Sequence, residues 1–545
     1  MTTIHNPILP GFNPDPSICR VGDDFYIATS TFEWFPGVQI HHSKDLVHWR
    51  LLTRPLTRKS QLDMRGNPDS GGVWAPCLSH ADGKFWLVYT DVKRLDGNYK
   101  DSHNYIVTAS DIMGPWSDPI YVNSSGFDPS LFHDEDGRKY FVNMAWNHRH
   151  DPSAGEPHPD NRPGSGYFGG ILLQEFDAVA GKLKGPVHNI YRGSPRGLVE
   201  GPHLFKRNGY YYLTTAEGGT GYEHAVTYAR AKNLLGPYET HPQHHLLTAQ
   251  DAPEGQLQRS GHGQIVFLKD GSAYHTHLTC RPLPGTRRSV LGRETAIQKV
   301  VFGSDGWPRL AQGGLHPAYE VEAPNLPPHP FAAEPARHDF NETALPASFQ
   351  WLRTPEPARL FSLTARPGQL RLYGRESVGS WFEQSLVALR QTSIKYRAET
   401  KLDFTPETFQ QMAGLIAYYN RHQFHYLLIA ADNDGKRKLV IQSCPGLWPD
   451  GNLVFPLGAG IDLPETGAIW LRVDVDQAAL QFSYSLDGTI WKNAGPVLDA
   501  AILSDEGGRG EHADFTGAFV GMAAQDLTGQ ALAADFDYFE YHNLK

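Results

Sequence analysis

Asn13-Pro14-Asp15-Pro16-Ser17-Ile18 places a carboxylate between two prolines, just ahead of an apolar position. The same cadence returns four times. Aligned on a proline followed two positions later by an apolar residue, the copies are Ala75-Pro76-Cys77-Leu78, Asp128-Pro129-Ser130-Leu131 and Gly201-Pro202-His203-Leu204; a fifth, His262-Gly263-Gln264-Ile265, has lost the proline. The copies lie about 50 to 75 residues apart, near or above the period of propeller blades. A turn and an aromatic, apolar run follow each copy, as in Asp82-Gly83-Lys84-Phe85-Trp86-Leu87-Val88 and Asn208-Gly209-Tyr210-Tyr211-Tyr212-Leu213. Asp-Gly and Asn-Gly between apolar runs predict hairpins, because both central residues of a type I′ turn need positive φ. At least three units then close on a turn ending in an aromatic, such as Ser110-Asp111-Ile112-Met113-Gly114-Pro115-Trp116. Four strands repeated five times predict a five-bladed β-propeller over residues 1–323.

Beyond the repeats, Pro324-Asn325-Leu326-Pro327-Pro328-His329-Pro330 reads as a stiff linker, assigned to 324–339. Past Phe340 the pattern changes to period-two alternation, as in Trp470-Leu471-Arg472-Val473-Asp474-Val475. Residues 340–545 are therefore expected to form an antiparallel β-sandwich of about 200 residues, with no long helix in either half. The fold class is all-β.

Composition narrows the partners. Net charge is −10 with no basic run, which speaks against phosphate neutralisation and hence against nucleic acid. No apolar run approaches the ~20 residues that span a bilayer, and Met1 to Pro10 lacks a signal-peptide pattern. Cys19, Cys77, Cys280 and Cys444 form neither a disulfide framework nor a zinc pattern. A cytoplasmic protein without a membrane partner is expected.

In a propeller the first strand of each blade lines the axis, so matched repeat positions converge. That ring holds Asp15, Trp74-Ala75, Asp128, Glu200-Gly201 and His262. With 59 acidic residues in the chain an isolated Asp means little. Three carboxylates at matched positions mean more, since burying like charges is costly without a functional return. Two carboxyls across a pocket are what glycoside hydrolysis uses: one protonated for the leaving oxygen, one ionised to activate water or to attack. A third nearby raises the pKa of the acid.

Trp74, Phe32, Trp34 and Trp146 fall near the ring and could stack on sugar faces or pack as core. Arg293 could hold sugar hydroxyls and a carboxylate, or pair with Glu294 at the surface. His262 could hydrogen-bond a carboxylate, hold a hydrated divalent cation such as calcium on the axis, or be a structural histidine. Gly218-Gly219-Thr220-Gly221 lacks the Lys-Ser/Thr of a phosphate loop, and His275 with His277 reads as packing.

These residues resemble glycoside hydrolase family 43, and within it the two-domain β-xylosidases. The resemblance rests on Asn13-Pro14-Asp15-Pro16-Ser17, Ser30-Thr31-Phe32-Glu33-Trp34-Phe35-Pro36-Gly37-Val38, Gly126-Phe127-Asp128-Pro129-Ser130-Leu131, Glu200-Gly201-Pro202-His203, Leu291-Gly292-Arg293-Glu294-Thr295 and Asp514-Phe515-Thr516-Gly517-Ala518-Phe519-Val520-Gly521. It implies a lectin-like sandwich after the propeller and inversion at the anomeric carbon. Asp15 is then the general base and Glu200 the general acid, while Asp128 orients Glu200 and raises its pKa. Arg293, Trp74, Phe32 and Trp146 would line the sugar subsites, and Phe515 would reach in from the sandwich to close the pocket. Ala145 and the segment from His148 to Gly166 depart from the pattern.

The implied activity is release of xylose from the non-reducing end of short β-1,4-xylo-oligosaccharides, with α-L-arabinofuranosidase activity on the side and no required cofactor. The alternatives are a dedicated arabinofuranosidase or endo-arabinanase, or a non-catalytic carbohydrate-binding propeller. A homo-oligomer, dimer or tetramer, is the expected assembly.

Overall fold

The computed structural model describes residues 2–149, 165–446, 451–510 and 512–544. Most of the atypical segment from His148 to Gly166 lies outside them. The chain is all-β; its only helical elements among the described residues are four three-residue 3-10 turns. Among the described residues no helix is long and apolar enough to cross a membrane.

Five sheets of consecutive strands form the propeller. The first contains Ser17–Val21, Asp24–Thr29, Gln39–Ser43 and Arg50–Thr53; the fourth contains Glu200–Arg207, Tyr210–Glu217, Ala225–Ala231 and Glu239–Thr248. The hairpin turns differ from the expectation in detail. Both central residues have positive φ only at Asp82-Gly83 (53° and 68°) and Asn208-Gly209 (48° and 73°). In the third and fifth blades the loop is longer: Gly137 and Gly271 alone are left-handed, and they donate back to Asp134 and Leu268. A type I turn followed by a left-handed glycine satisfies the same strand twist with one more residue.

The recurring cadence has a backbone basis. Asp15, Ala75, Asp128, Gly201 and His262, the five residues at the matched position, all have positive φ, at 55°, 26°, 53°, 58° and 38°. The left-handed turn interrupts the ladder at the inner end of each blade. Register shifts mark it between Trp74 and Cys77 and between Glu200 and His203. Such interruptions re-aim side chains out of the pleat. In the fourth blade glycine takes the left-handed position, and the carboxylate sits one residue earlier.

The ring closes where Thr3–His5 pairs with Glu320–Glu322, and where Asn13 N–H donates to the Arg293 carbonyl (2.9 Å). The linker prolines follow, tied to the first blade by His329 N–H donating to Asp45 Oδ2 (2.7 Å). Arg337–His338 already pairs with Phe539 and Glu540, so the first sandwich strand begins inside the segment read as linker.

Two eight-stranded sheets make the sandwich. Lys395–Asp403 alternates buried and half-buried residues, as a strand with one face on the core should. Gln411–Asn420 and Gln423–Ala431 are buried throughout, because their second face packs toward the propeller. The edge strand of that sheet comes from the propeller itself: Trp34–Phe35 pairs with Trp351 and Leu352. Trp34 is fully buried and stacks on Phe519, with centroids 3.6 Å apart and planes at 13°. It is therefore a docking residue and not a sugar platform.

Candidate active site

A cavity of about 630 Å³ opens at the propeller centre, and all nine site residues expected from the sequence line it. Asp15, Asp128 and Glu200 face it, each no more than 7% exposed. The left-handed turns described above aim the first two, while the bulge beside Gly201 aims the third.

The three carboxyls have different surroundings. Asp15 accepts from the Ser30 hydroxyl (2.6 Å) at one oxygen and from Arg293 Nη1 (3.0 Å) at the other, with His262 Nδ1 3.4 Å away. Burial pushes its pKa up, but Arg293, His262 and Ser30 together outweigh burial and hold it well below the usual carboxylate range. The Glu200 carboxyl receives no hydrogen bond from the described residues. Burial first, then the charge on Asp15, raises it to about 8 against the pull of Arg293 and Lys100. Asp128 is also raised to about 8, chiefly by burial and then by Glu200 and Asp15, against His262.

Asp128 accepts from the N–H of Gly201 (3.1 Å), the residue after Glu200, and so touches the backbone that carries the acid. The charge on Asp15 helps lift Glu200, and Glu200 in turn helps push Asp128 toward the neutral form, so the buried carboxyls disfavour one another's ionisation.

Arg293 is 3% exposed and spans the two domains. Its Nη1 holds Asp15, its Nη2 donates to the Phe515 carbonyl (3.1 Å), and its guanidinium lies 5.4 Å from the Phe32 ring. The alternative pairing with Glu294 is not formed, since Glu294 takes Arg281 at 2.7 and 2.8 Å.

Aromatics build the walls. Phe515 meets Trp74 edge-on at 5.6 Å and Phe32 at 6.3 Å, and Trp146 stacks on Tyr167 at 5.1 Å. Ser70 ties this wall together. Its carbonyl accepts from Trp74 Nε1–H (2.8 Å), its hydroxyl oxygen accepts from Phe515 N–H (3.0 Å), and its own N–H donates to Glu33 (3.1 Å).

His262 packs its other ring edge against Gly201, where a Cβ would come within 2.7 Å of Nε2. Among the described residues no group of three His, Cys, Asp or Glu side chains is placed to hold a metal ion. His275 and His277 are fully buried, the latter with Nδ1 2.9 Å from the Leu278 carbonyl.

Sequence reasoning missed Lys100, His224 and Ser70. The Lys100 ammonium sits 4.6 Å over the Trp146 ring, and burial lowers its pKa to about 8. His224 lines the cavity and donates from Nδ1 to the Gly219 carbonyl. All three stand on connections outside the repeat positions. The one sequence signal near any of them is the glycine run from Gly218, which precedes His224.

Comparison with known proteins agrees with this geometry. The profile described as glycosyl hydrolases family 43 matches residues 4–308, and that of the beta xylosidase C-terminal concanavalin A-like domain matches residues 337–542. The chain is 58% identical to xylosidase/arabinosidase 43B of Humicola insolens, over 99% of this chain and 98% of that protein. It is 48% identical to a beta-xylosidase of Bacillus subtilis over 99% of both. The crystal structure of a xylan beta-1,4-xylosidase from Bacillus halodurans superposes with a TM-score of 0.94 at 52% identity, covering 99% of this chain and 100% of that one. With a five-bladed ring, three axial carboxyls and full-length similarity of this order, the chain belongs to glycoside hydrolase family 43.

Proposed function

We propose that the protein is an inverting, exo-acting β-xylosidase that removes single xylose units from the non-reducing end of β-1,4-xylo-oligosaccharides. The observation that carries this reading is the contrast between two carboxyls lining one pocket: Asp15 is held by Ser30 and Arg293 with His262 beside it, whereas the Glu200 carboxyl receives no hydrogen bond from the described residues. Asp15 is held ionised by Arg293, and Glu200 is held protonated by burial. In this reading Asp15 takes a proton from a water molecule, whose oxygen attacks the anomeric carbon. Glu200 gives its proton to the departing glycosidic oxygen as the C–O bond breaks. Attack opposite the leaving group inverts the configuration. Asp128 positions Glu200 through Gly201, and Arg293 keeps Asp15 charged. Phe515, reaching over from the sandwich, ends the pocket after one sugar, with Trp74, Phe32 and Trp146 as stacking faces.

The deciding experiment is hydrolysis of xylobiose and xylotriose followed by NMR of the anomer first released. α-Xylose appearing before mutarotation, with xylotriose shortened one unit at a time, is expected. Initial β-xylose or internal cleavage would overturn the reading. The relative from Humicola carries both activities in its name, which favours arabinofuranosidase as a second activity of the same pocket. The rate on arabino-oligosaccharides relative to xylobiose measures it.

The acid and base states set the pH profile. Activity requires Asp15 ionised and Glu200 protonated. With Asp15 depressed below the carboxylate range and Glu200 raised to about 8, kcat/KM should hold level through neutral pH and fall above about 8. A profile falling between pH 5 and 6 would contradict the assignment.

Ser70→Ala should leave Phe515 N–H without its acceptor, a loss of about 1–3 kcal/mol. KM for xylobiose is then expected to rise roughly 5–10-fold while kcat stays within about 2-fold, because neither acid nor base is touched. Steady-state kinetics checks the split.

A cation on the axis fits His262 poorly. One ring nitrogen faces Asp15, the other edge is packed on Gly201, and Asp15 and Asp128 raise its pKa. Chelation should leave the hydrolysis rate unchanged. Four free, buried cysteines support a reducing, cytoplasmic setting.

A further inference from the structure

Arg54 and Arg390 lie together where the segment leading to Asp15 meets the sandwich, and both line a second cavity of about 440 Å³. They are 7% and 8% exposed. Arg259, Arg293 and Arg353, as deeply buried, each face a carboxylate. Arg54 and Arg390 have no ion-pair partner among the described residues. Arg390 donates from Nε to the Phe12 carbonyl (2.8 Å), and its Nη2 is buried with no partner. Arg54 donates from Nη2 to Gln39 (2.6 Å) and from Nη1 to the Phe349 carbonyl (3.4 Å), and its Nε is likewise unpartnered. His41, in the same wall, has an unpartnered Nδ1. The one acid among the described residues of this wall, Glu334, is exposed.

Two guanidiniums buried side by side without an acid are costly as they stand. Burial lowers the pKa of Arg54 to about 9, and burial with the neighbouring Arg54 lowers that of Arg390 well below its usual range. Fork-shaped donors that line a cavity and carry N–H groups the protein leaves unpaired suit planar or tetrahedral oxyanions.

We propose that this cavity is an anion site, in which Arg54 and Arg390 hold a small oxyanion. The oxyanion is either free phosphate or sulfate or the carboxylate of a small acid. The site lies under the catalytic segment: Arg390 holds the Phe12 carbonyl, and Arg54 reaches Asn13 through Gln39, whose Nε2 donates to Asn13 Oδ1 (2.8 Å). Its occupancy is independent of which sugar the main pocket takes.

The test uses the full chain with D-xylose saturating, so that the catalytic pocket is filled. Melting midpoints are compared in sodium phosphate, acetate and chloride at matched pH and ionic strength. Phosphate or acetate should raise the midpoint saturably, by on the order of 1–3 °C at tenfold excess over Kd, while chloride does not. Phosphate above acetate identifies a tetrahedral anion, and acetate matching phosphate identifies a carboxylate. Arg54→Gln and Arg390→Gln should each abolish the shift. Should those variants fail to fold, wild-type crystals soaked in selenate decide, with an anomalous peak expected between the two guanidiniums. Equal midpoints in all three salts, or selenate bound elsewhere only, overturn the proposal.

Discussion

Asp15→Gly is expected to lower kcat on xylobiose by on the order of 10³–10⁴-fold, with KM changed far less. Glycine is the informative replacement because Asp15 has φ 55°, a conformation glycine adopts without strain. Alanine would add backbone strain to the chemical loss, and asparagine would point donors at Arg293 if its amide faced Nη1. In the wild type Asp15 sits between Ser30, Arg293 and His262, all stabilising its charge. If Asp15 is the base, removing its carboxylate leaves space where the attacking water would be activated. A small nucleophile that needs no base should fill it: azide, attacking the anomeric carbon of an activated aryl β-xyloside from the same side, displaces the phenolate and yields α-xylosyl azide. Rescue by azide with that configuration identifies a lost base. Loss of activity without rescue, in a variant that still binds xylose, would instead make Asp15 a positioning residue for Arg293.

The repeat made the carboxylates legible. Equivalent positions in a propeller converge, so Asp15, Asp128 and Glu200 could be grouped although up to 185 residues separate them. What the pattern could not express was the reason for the cadence, a left-handed residue at each inner strand. That reason explains why Glu200 is displaced by one: Gly201 occupies the strained position. Aromatics were harder to read. Phe32 and Trp34 are two residues apart and would share a face in a regular strand, but Phe32 has φ 51°. The chain turns there, sending Phe32 into the pocket and Trp34 into the sandwich.

Ser70, Lys100 and His224 carry no repeat pattern, because connections outside the matched strands have no repeat to compare them with. Phe515 was reached only through resemblance; nothing in its alternation says that a loop of the second domain crosses to the first. The linker boundary failed for a simpler reason: Arg337–His338 pairs with the far end of the chain, and a two-residue strand leaves no periodicity.

Glu200→Ala should separate substrates by their leaving groups. On xylobiose the departing oxygen is an alkoxide unless protonated, so kcat should fall by on the order of 10²–10⁴-fold. On a dinitrophenyl β-xyloside the leaving phenolate is stable without a proton, and bond breaking should proceed within roughly 10-fold of the wild-type rate by the same Brønsted reasoning. The pH profile should change with it. Wild-type activity is expected to fall as Glu200, raised to about 8, loses its proton; in the variant that alkaline limb should vanish on the aryl substrate, leaving only the acid limb of Asp15. Asp128 sharpens the test, since it is raised to a similar value and is hydrogen-bonded to the Gly201 N–H beside the acid. If Asp128 were the proton donor, Glu200→Ala would keep the alkaline limb and Asp128→Ala would lose it. If both variants lost activity equally on both substrates, the pair would be acting on pocket shape, and the assignment of Glu200 as acid would fall.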